Sequence, residues 1–237
     1  MSETTSILPK EAKKAAEHID PSVLILYGPP KVGKTTVLEQ LPGALIIDTE
    51  MGSRHISGLV AEIGNLTEFS QIYREVKALK YNHYPFIALD TLDNLVNWIE
   101  ADVCRLNNVS SVADMPFGAG YDAVRTRTIT TIRRFREVTS RLVLIGHRKR
   151  TLIGEKSVEV KVDMLDLTGK LKNMLMAEAD AIGYVHRSPA DSTKLMVSFV
   201  ASEDLEAGSR SKHLAGKVIE FDWSKIYVTQ ETLNKKV

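Results

Sequence analysis

A short segment with the sequence GPPKVGKTT occupies residues 28–36. It follows an apolar run, residues 22–28, and precedes a stretch compatible with a helix. The pattern G-x-x-x-x-G-K-[ST] in this position predicts a loop that wraps phosphate groups, because glycine lets successive N–H groups approach phosphate oxygens and a helix N-terminus favours negative charge. The predicted phosphate-binding residues are Gly28, Pro29, Pro30, Lys31, Val32, Gly33, Lys34, Thr35 and Thr36.

Two side chains of this phosphate loop suit a nucleoside triphosphate. In such a loop the lysine, here Lys34, reaches the β- and γ-phosphates, and the hydroxyl of Thr35 ligates Mg²⁺. We therefore expect ATP and Mg²⁺ as cofactors. The loop by itself indicates binding, so hydrolysis requires further groups.

Two carboxylates end apolar runs further along the chain. Asp90 closes FIALD, residues 86–90, where a carboxylate can hold Mg²⁺ and its water shell, although it can equally cap the following helix. Glu50 closes IIDTE, residues 46–50, and the carboxyl end of a strand faces the ligand crevice of an open α/β sheet. Glu50 is therefore the predicted general base for the attacking water, and Asp48, on the same strand face, is the alternative.

A histidine ends the fourth apolar run, LVLIGH, at residue 147. A polar side chain at this point is suited to bind the γ-phosphate and to report hydrolysis to the segment that follows. The alternative is a surface histidine that begins a basic turn. We keep His147 as the candidate sensor.

Short apolar runs alternate with helical patterns over most of the chain. Strands are predicted at 22–28, 44–50, 86–90 and 141–147, and helices at 67–80, 92–107 and 121–138. The C-terminal third is strand-like at 181–187, 194–202 and 217–223. This order predicts an α/β fold with a mostly parallel, doubly wound sheet and antiparallel C-terminal edge strands. We expect an N-terminal arm, residues 1–20, and one domain, residues 21–237.

The composition limits the class of protein. The 237 residues are 43% hydrophobic, and 31 Lys and Arg nearly balance 30 Asp and Glu, as in an ordinary globular chain. A single cysteine, Cys104, excludes an internal disulfide and is typical of a reducing compartment. No apolar run approaches the roughly 18 residues of a membrane span. We therefore expect a cytoplasmic protein with no membrane segment.

Taken in order, GPPKVGKT, IIDTE, FIALDT and LVLIGH resemble the RecA-type P-loop ATPase core. More narrowly, the chain resembles the short RecA-like ATPases of bacteriophages that are grouped with single-strand annealing proteins. The segments DLTGK, residues 166–170, and ADAIGYV, residues 179–185, are similar to that group's pattern. The resemblance covers roughly residues 22–215.

This resemblance implies an ATPase that assembles on single-stranded DNA during recombination, in the host cytoplasm if the protein is phage-encoded. It assigns Lys34 and Thr35 to nucleotide and Mg²⁺, Asp90 to Mg²⁺, Glu50 to general base and His147 to sensor. A Lys-x-Arg pair late in related chains reaches the neighbouring subunit's γ-phosphate. Here Arg210 matches the arginine, whereas Gly208 stands at the lysine position and Lys212 is a possible substitute. Two more partners are expected. They are other copies of the chain, assembled in a ring or filament, and a single-strand binding protein.

RecA-like cores contact DNA through two loops, which here correspond to residues 108–120 and 148–172. Residues 123–150 carry nine Lys or Arg against one acid, Glu137, an excess typical of a surface that binds the phosphate backbone. The alternative for the helical arginines is a solvated helix. The candidate DNA-binding residues are Arg125, Arg127, Arg148, Lys149, Arg150 and Lys156.

Three functions are compatible with these motifs. The first is an ATPase that binds single-stranded DNA and promotes strand annealing or exchange. The second is a small-molecule kinase, against which Glu50 argues because its position suits activation of water. The third is an assembly protein that ATP switches between oligomeric states without DNA.

Overall fold

The computed structural model describes residues 11–12, 18–153 and 160–228. The strands are β1 Val23–Gly28, β2 Ala44–Asp48, β3 Leu59–Glu62, β4 Phe86–Asp90, β5 Leu142–Ile153, β6 Val160–Leu165, β7 Ala181–Arg187, β8 Leu195–Ser198, β9 Gly208–Ser209 and β10 Val218–Glu220. The helices are α1 Lys34–Leu38, α2 Leu66–Ala78, α3 Leu92–Asn107, α4 Ala119–Arg136, α5 Gly169–Glu178 and α6 Trp223–Ile226.

One sheet organises these elements, in the order β10-β8-β7-β1-β5-β4-β2-β3. Its strands from β7 to β3 run parallel to their neighbours, whereas β8, β9 and β10 pair antiparallel at the C-terminal edge. The second half of β5 pairs antiparallel with β6 and forms a hairpin beyond the sheet. The predicted α/β class, with a mostly parallel sheet and antiparallel C-terminal edge strands, is confirmed.

Both faces of the sheet are covered by helices, because alternate residues of the parallel strands are apolar on each face. On one face Ile25 and Leu144 pack with apolar residues of α2, α3, α4 and α5. On the other face Leu24 and Val143 pack with α1 and with Trp223 of α6. The central strands are therefore buried on both sides, and this rigid layer fixes the positions of the residues at their ends.

The predicted helix at 92–107 matches α3, and the strand predictions at 86–90 and 181–187 match β4 and β7. The short edge strand β3 has no sequence prediction, since four half-exposed residues carry little apolar signal. The prediction of a loop at 148–172 is wrong, because most of its described residues belong to β5, β6 and the start of α5. The loop 108–120 is shorter than expected, since α4 begins at Ala119.

Gly120 lies in α4, which begins at Ala119 and so before the predicted end of the loop at residue 120. It lies inside the first turn of α4, where a side chain would come within 2.4 Å of the carbonyl oxygen of Val112. A glycine at this position permits close packing of the helix on the preceding turn. The loop predicted at 108–120 included this glycine.

Within the residues that the structure describes, none of the helices has both the length and the apolar character needed to cross a membrane. The candidate Lys156 lies outside the described residues.

A methyl group at Gly183 tests the packing between β1, β7 and β8. The Cβ of Gly183→Ala would lie 2.6 Å from Val197, 2.8 Å from Leu26 and 3.0 Å from Phe199. We expect overpacking to reduce the free energy of unfolding by about 1–3 kcal/mol, measured by urea denaturation. Gly52→Ala is the matched control, since nothing lies within 4 Å of its Cβ position. Equal stability of the two variants would contradict the described packing.

Candidate functional site

The carboxyl ends of four neighbouring parallel strands meet at one edge of the sheet, and most predicted site residues lie there. Gly28 at the end of β1 is in register with His147 of β5, and Asp48 at the end of β2 is in register with Asp90 at the end of β4. The strand β5 lies between β1 and β4. This edge brings together the predicted catalytic and metal-binding residues Lys34, Thr35, Glu50, Asp90 and His147.

The phosphate loop joins β1 to α1 as predicted. Gly33 has the left-handed φ of 115° that lets the chain turn directly into the helix. The ammonium group of Lys34 is buried and donates to the carbonyl oxygens of Gly28 and Pro29, at 3.1 and 3.0 Å. Burial lowers the pKa of Lys34, although the nearby Asp90 and Glu50 act to raise it. Among the described residues no carboxylate lies within ion-pair distance of Lys34, so this buried cation suits an external anion such as a phosphate.

Thr35 and Asp90 supply two oxygen atoms at the same point. The hydroxyl of Thr35 donates to Oδ2 of Asp90 at 2.6 Å. Burial raises the pKa of Asp90 to about 6, and the charges of Glu50 and Asp48 add to the increase, whereas the hydrogen bond from Thr35 opposes it. Adjacent hydroxyl and carboxylate oxygens are the hard ligands that Mg²⁺ prefers, and a buried carboxylate with a raised pKa gains from a cation. These residues therefore fit Mg²⁺.

The two carboxylates at the end of β2 have different surroundings. Asp48 is 2% exposed and accepts the backbone N–H groups of Glu50 and Ser53, both at 2.8 Å. Both of its oxygens are thus used to fold the turn after β2. Glu50 is exposed, and its Oε1 lies 3.3 Å from the hydroxyl of Thr91 and 3.8 Å from Nε2 of His147. Of the two candidates, only Glu50 has its carboxylate free of backbone contacts in the described residues and directed at His147.

Asp93 holds His147 in place, and the sequence did not predict this pair. Oδ2 of Asp93 lies 2.7 Å from Nδ1 of His147, and Oδ1 accepts the backbone N–H of the same residue at 3.3 Å. The hydrogen bond with Asp93 raises the pKa of His147. Burial acts to raise the pKa of Asp93, but the hydrogen bond and charge of His147 outweigh it and lower the pKa.

The geometry has a direct chemical consequence. With Nδ1 bonded to Asp93, Nε2 of His147 faces Glu50, so the histidine links two carboxylates from α3 and from the turn after β2. The three side chains offer ligand atoms within 4.8 Å of one another. A signal for Asp93 exists in the sequence, since it lies three residues after Asp90 in the first turn of α3. Its spatial partner is 54 residues away, and periodicity carries no information about that distance.

The predicted DNA-binding cations are paired with carboxylates of this chain. Arg125 contacts Asp122 at 2.8 Å, Arg127 contacts Asp102 at 2.6 Å, and Lys149 contacts Asp166 at 3.9 Å. All three acids lie outside the basic segment 123–150. The basic excess of that segment in the sequence is therefore largely compensated in three dimensions.

Asp163 of β6 compensates the other two described candidates. Arg150 binds it with two hydrogen bonds, at 2.7 and 2.9 Å. Arg148 lies 3.4 Å from the same carboxylate and 3.5 Å from the hydroxyl of Tyr184, which itself donates to Asp163 at 2.9 Å. The hydrogen bond from Arg150 lowers the pKa of Asp163 against the effect of its partial burial. The hairpin of β5 and β6 is thus held at its base by a charged cluster.

Arg210 does not lie at the carboxyl edge of its own sheet. Its guanidinium donates to the carbonyl oxygen of Ala177 at 2.7 Å and lies 3.6 Å from Asp180. Asp180 immediately precedes β7 and binds Ser22, the residue before β1. Arg210 is therefore at the amino-terminal ends of the parallel strands, where its exposed side chain faces away from the phosphate loop of the same chain.

A protein-family model described as an AAA domain matches residues 20–211, a range that contains the phosphate loop, Glu50, Asp90, Asp93 and His147. The chain belongs to the AAA domain family. This AAA domain is a P-loop ATPase domain. Among curated proteins, none matches the chain.

Solved structures with similarity to this AAA domain include three proteins. The RadB recombinase is 13% identical, with 87% of this chain and 90% of that chain covered and a TM-score of 0.48. A type III secretion system ATPase of pathogenic bacteria is 11% identical, with 89% and 61% covered and a TM-score of 0.46. The flagellar accessory protein FlaH from Methanocaldococcus jannaschii is 9% identical, with 76% and 77% covered and a TM-score of 0.37. At these values the likenesses assign no function to this AAA domain.

Asp90→Asn should stabilise the ligand-free protein at neutral pH. The pKa of Asp90 is about 6 in the folded chain against an ordinary value of 3.8, so the folded state binds the proton more tightly. The ionised carboxylate therefore costs stability above about pH 6, and the cost disappears as the pH falls towards about 4. A shift of about two pKa units corresponds to about 3 kcal/mol. Urea denaturation without Mg²⁺ should show that the variant's gain in free energy of unfolding increases from about pH 4 to about pH 6 and is constant above that. Equal stability of the variant and the wild type at every pH would contradict this prediction.

Asp93→Asn should lower the pKa of His147 towards its ordinary value, because the largest contribution to the increase is the hydrogen bond that Nδ1 of His147 donates to the Asp93 carboxylate. Titration of the imidazole signals by NMR measures this directly and needs no ligand. Asp122→Asn is the control, since that carboxylate pairs with Arg125 on α4. An unchanged His147 titration in Asp93→Asn would show that the pair does not form in solution.

Proposed function

We propose that this AAA domain hydrolyses ATP with Mg²⁺ and uses the reaction to act on single-stranded DNA as an oligomer. The observation that carries the hydrolytic part is the meeting of a buried, carboxylate-free Lys34, the Thr35–Asp90 pair and the Glu50–His147 pair at one edge of the sheet. Phosphoryl transfer needs a cradle for the phosphates, a metal ligand set and a group that orients water, and this edge offers each of them.

In this proposal the chain's own residues act mainly by position. The backbone of residues 28–36 binds the phosphates, and Lys34 turns from the carbonyl oxygens of Gly28 and Pro29 to the β- and γ-phosphates. Thr35 and Asp90 hold Mg²⁺, whose charge neutralises the phosphate oxygens when it is bound. A bound cation would favour the ionised form of Asp90 and would so relieve the cost of burying this carboxylate.

Glu50 is the proposed general base. Its exposed carboxylate accepts the proton of the attacking water, whereas Asp48 stays bound to the turn after β2. His147 lies 3.8 Å from Glu50 and is held by Asp93, and these contacts support a role for its Nε2 as the γ-phosphate sensor. A base positioned for water also favours hydrolysis over the kinase alternative.

The DNA part of the proposal is supported by continuity between His147 and the candidate cations. Arg148, Lys149 and Arg150 follow His147 in the same strand, which leaves the catalytic edge to form the hairpin with β6. A cavity of about 270 Å³ lies beside them, and Asp93, Tyr121, Arg125 and Lys149 are among its lining residues. The ring of Tyr121 offers a surface on which a base can stack, whereas the two cations share the cavity with the acids Asp93, Glu100 and Asp166. A strand in this cavity would contact the residue that positions His147.

The finer features of the proposal come from the resemblance to phage RecA-like ATPases. The chain anneals or exchanges strands, assembles in a ring or filament, and has a single-strand binding protein as a partner. If the protein is phage-encoded, it acts in the host cytoplasm. Arg210 can serve as a finger only towards the nucleotide of a neighbouring subunit, because it lies at the opposite edge of its own sheet. Its exposure favours such a role.

A second candidate is an assembly protein that ATP switches without DNA. The observation that favours it is the pairing of Arg125, Arg127, Arg148, Lys149 and Arg150 with carboxylates of the same chain. Paired cations attract a polyanion less strongly than free ones, since each phosphate contact has to displace a carboxylate.

ATP hydrolysis measured with and without single-stranded DNA at low salt tests the proposal. We expect the wild-type rate to rise on addition of DNA, and Glu50→Gln to retain ATP binding while the rate falls by at least about 100-fold, because the base that accepts the water proton is lost. Glu75→Gln, on the exposed face of α2, is the matched control and should keep the wild-type rate.

The outcomes separate the candidates. An active protein that neither binds DNA nor responds to it contradicts the DNA part of the proposal. Light scattering with ATP and with ADP in the absence of DNA then shows whether the nucleotide switches the oligomeric state, as the second candidate requires. A Glu50→Gln variant with the wild-type rate would exclude Glu50 as the base.

A further inference from the structure

The charge of the catalytic edge is poorly matched to MgATP. Lys34 is its buried cation, and Asp48, Glu50, Asp90 and Asp93 lie around it as acids. ATP brings further negative charge, of which one Mg²⁺ neutralises only a part. Besides Lys31 of the loop itself, a further cation near the phosphates would improve this balance, and Arg148 is a weak candidate because it contacts Asp163 and Tyr184.

Arg187 lies against the phosphate loop from the neighbouring strand. The strand β7 continues past Tyr184, the residue in register with Tyr27, and so runs beside the loop after β1 has ended. At its last residue, one terminal nitrogen of the Arg187 guanidinium lies 3.5 Å from the point that a Cβ on Gly33 would occupy. A Cβ at this distance would make an ordinary van der Waals contact, so the guanidinium lies directly against the loop, and Gly33 itself is favoured by its φ of 115°. The sequence reasoning missed Arg187, since it lies 154 positions from Gly33 in the chain.

The guanidinium of Arg187 is held by a hydrogen bond but has no acidic partner among the described residues. The other terminal nitrogen donates to the carbonyl oxygen of Thr193 at 3.0 Å, across the turn between β7 and β8. Among the described residues no carboxylate lies within ion-pair distance of Arg187, in contrast to Arg148 and Arg150. The side chain is exposed, so a ligand can reach it.

The turn itself is held by its own hydrogen bonds. Asp191 accepts the backbone N–H and the hydroxyl of Thr193, at 3.0 and 2.5 Å, and the backbone N–H of Ser188 donates to the carbonyl oxygen of Lys194. Leu195, which follows the turn, also lies 3.7 Å from the Cβ position of Gly33. The turn and the phosphate loop are therefore packed together, which presets the arginine and reduces the entropy that binding would cost.

We propose that Arg187 binds the α- and β-phosphates of the nucleotide and that the β7–β8 turn forms one wall of the nucleotide site. Gly33 belongs to the part of the loop whose N–H groups bind these phosphates. A guanidinium beside it can form two parallel hydrogen bonds to phosphate oxygens, a geometry that lysine lacks. The inference rests on the proposed binding of ATP and adds the residue that balances the charge of the diphosphate.

The experiment measures the affinities for ADP and ATP of the full chain and its variants by calorimetry. Arg187→Ala should weaken both by about 10- to 100-fold, the effect of losing a charge-assisted hydrogen bond, whereas Arg187→Lys should recover part of the loss. Lys194→Ala is the matched control, because it also removes a positive charge from this turn. The partner of Lys194 is Glu220 and not the phosphate loop. The control should bind both nucleotides like the wild type.

Thermal denaturation of the ligand-free variants separates binding from packing. A lower melting temperature for Arg187→Ala with unchanged nucleotide affinity would show that the arginine only braces the loop, and this overturns the inference. Equal losses of affinity in Arg187→Ala and Lys194→Ala would show a general charge effect and would also overturn it. A wild-type protein that binds neither ADP nor ATP contradicts the proposed function itself.

Discussion

The parallel register of β1, β5, β4 and β2 is the constraint on which the site depends. These strands are buried on both faces, so their relative positions are set by the packing of two apolar layers rather than by contacts at the site. Because they run in one direction, their polar ends meet at a single edge. The strand β5 lies between β1, which precedes the phosphate loop, and β4, which ends at Asp90. Strand pairing therefore places the backbone of His147 beside Gly28.

Compensation of charge is the second organising feature. A segment rich in arginine does not become a bare basic surface, because acids from α3, β6 and the turns around them fold against it. The carboxyl edge of the sheet shows the opposite balance, because the charges of Asp90, Glu50 and Asp93 act on Lys34 although none of them forms an ion pair with it among the described residues. The nearly neutral composition of the chain therefore conceals two regions in which the local balance differs, and only the fold separates them.

Sequence reasoning succeeds where signals are local and fails where partners are distant. The phosphate loop and the ends of β2 and β4 are marked by short patterns, so Lys34, Thr35, Glu50 and Asp90 were named without the fold. The choice between Glu50 and Asp48 needed the backbone of the turn after β2. Asp93 and Arg187 were missed because the residues beside them, His147 and Gly33, lie far away along the chain. The hairpin was missed because its polar strands resemble a charged loop.

The strand β5 has two different environments along one uninterrupted backbone. Its first half is clamped between β1 and β4, and its second half pairs only with β6 outside the main sheet. His147 lies where these two environments meet. The arginines that follow it are therefore held by pairing with β6 and by Asp163, and not by the strands that carry the phosphate loop and Asp90.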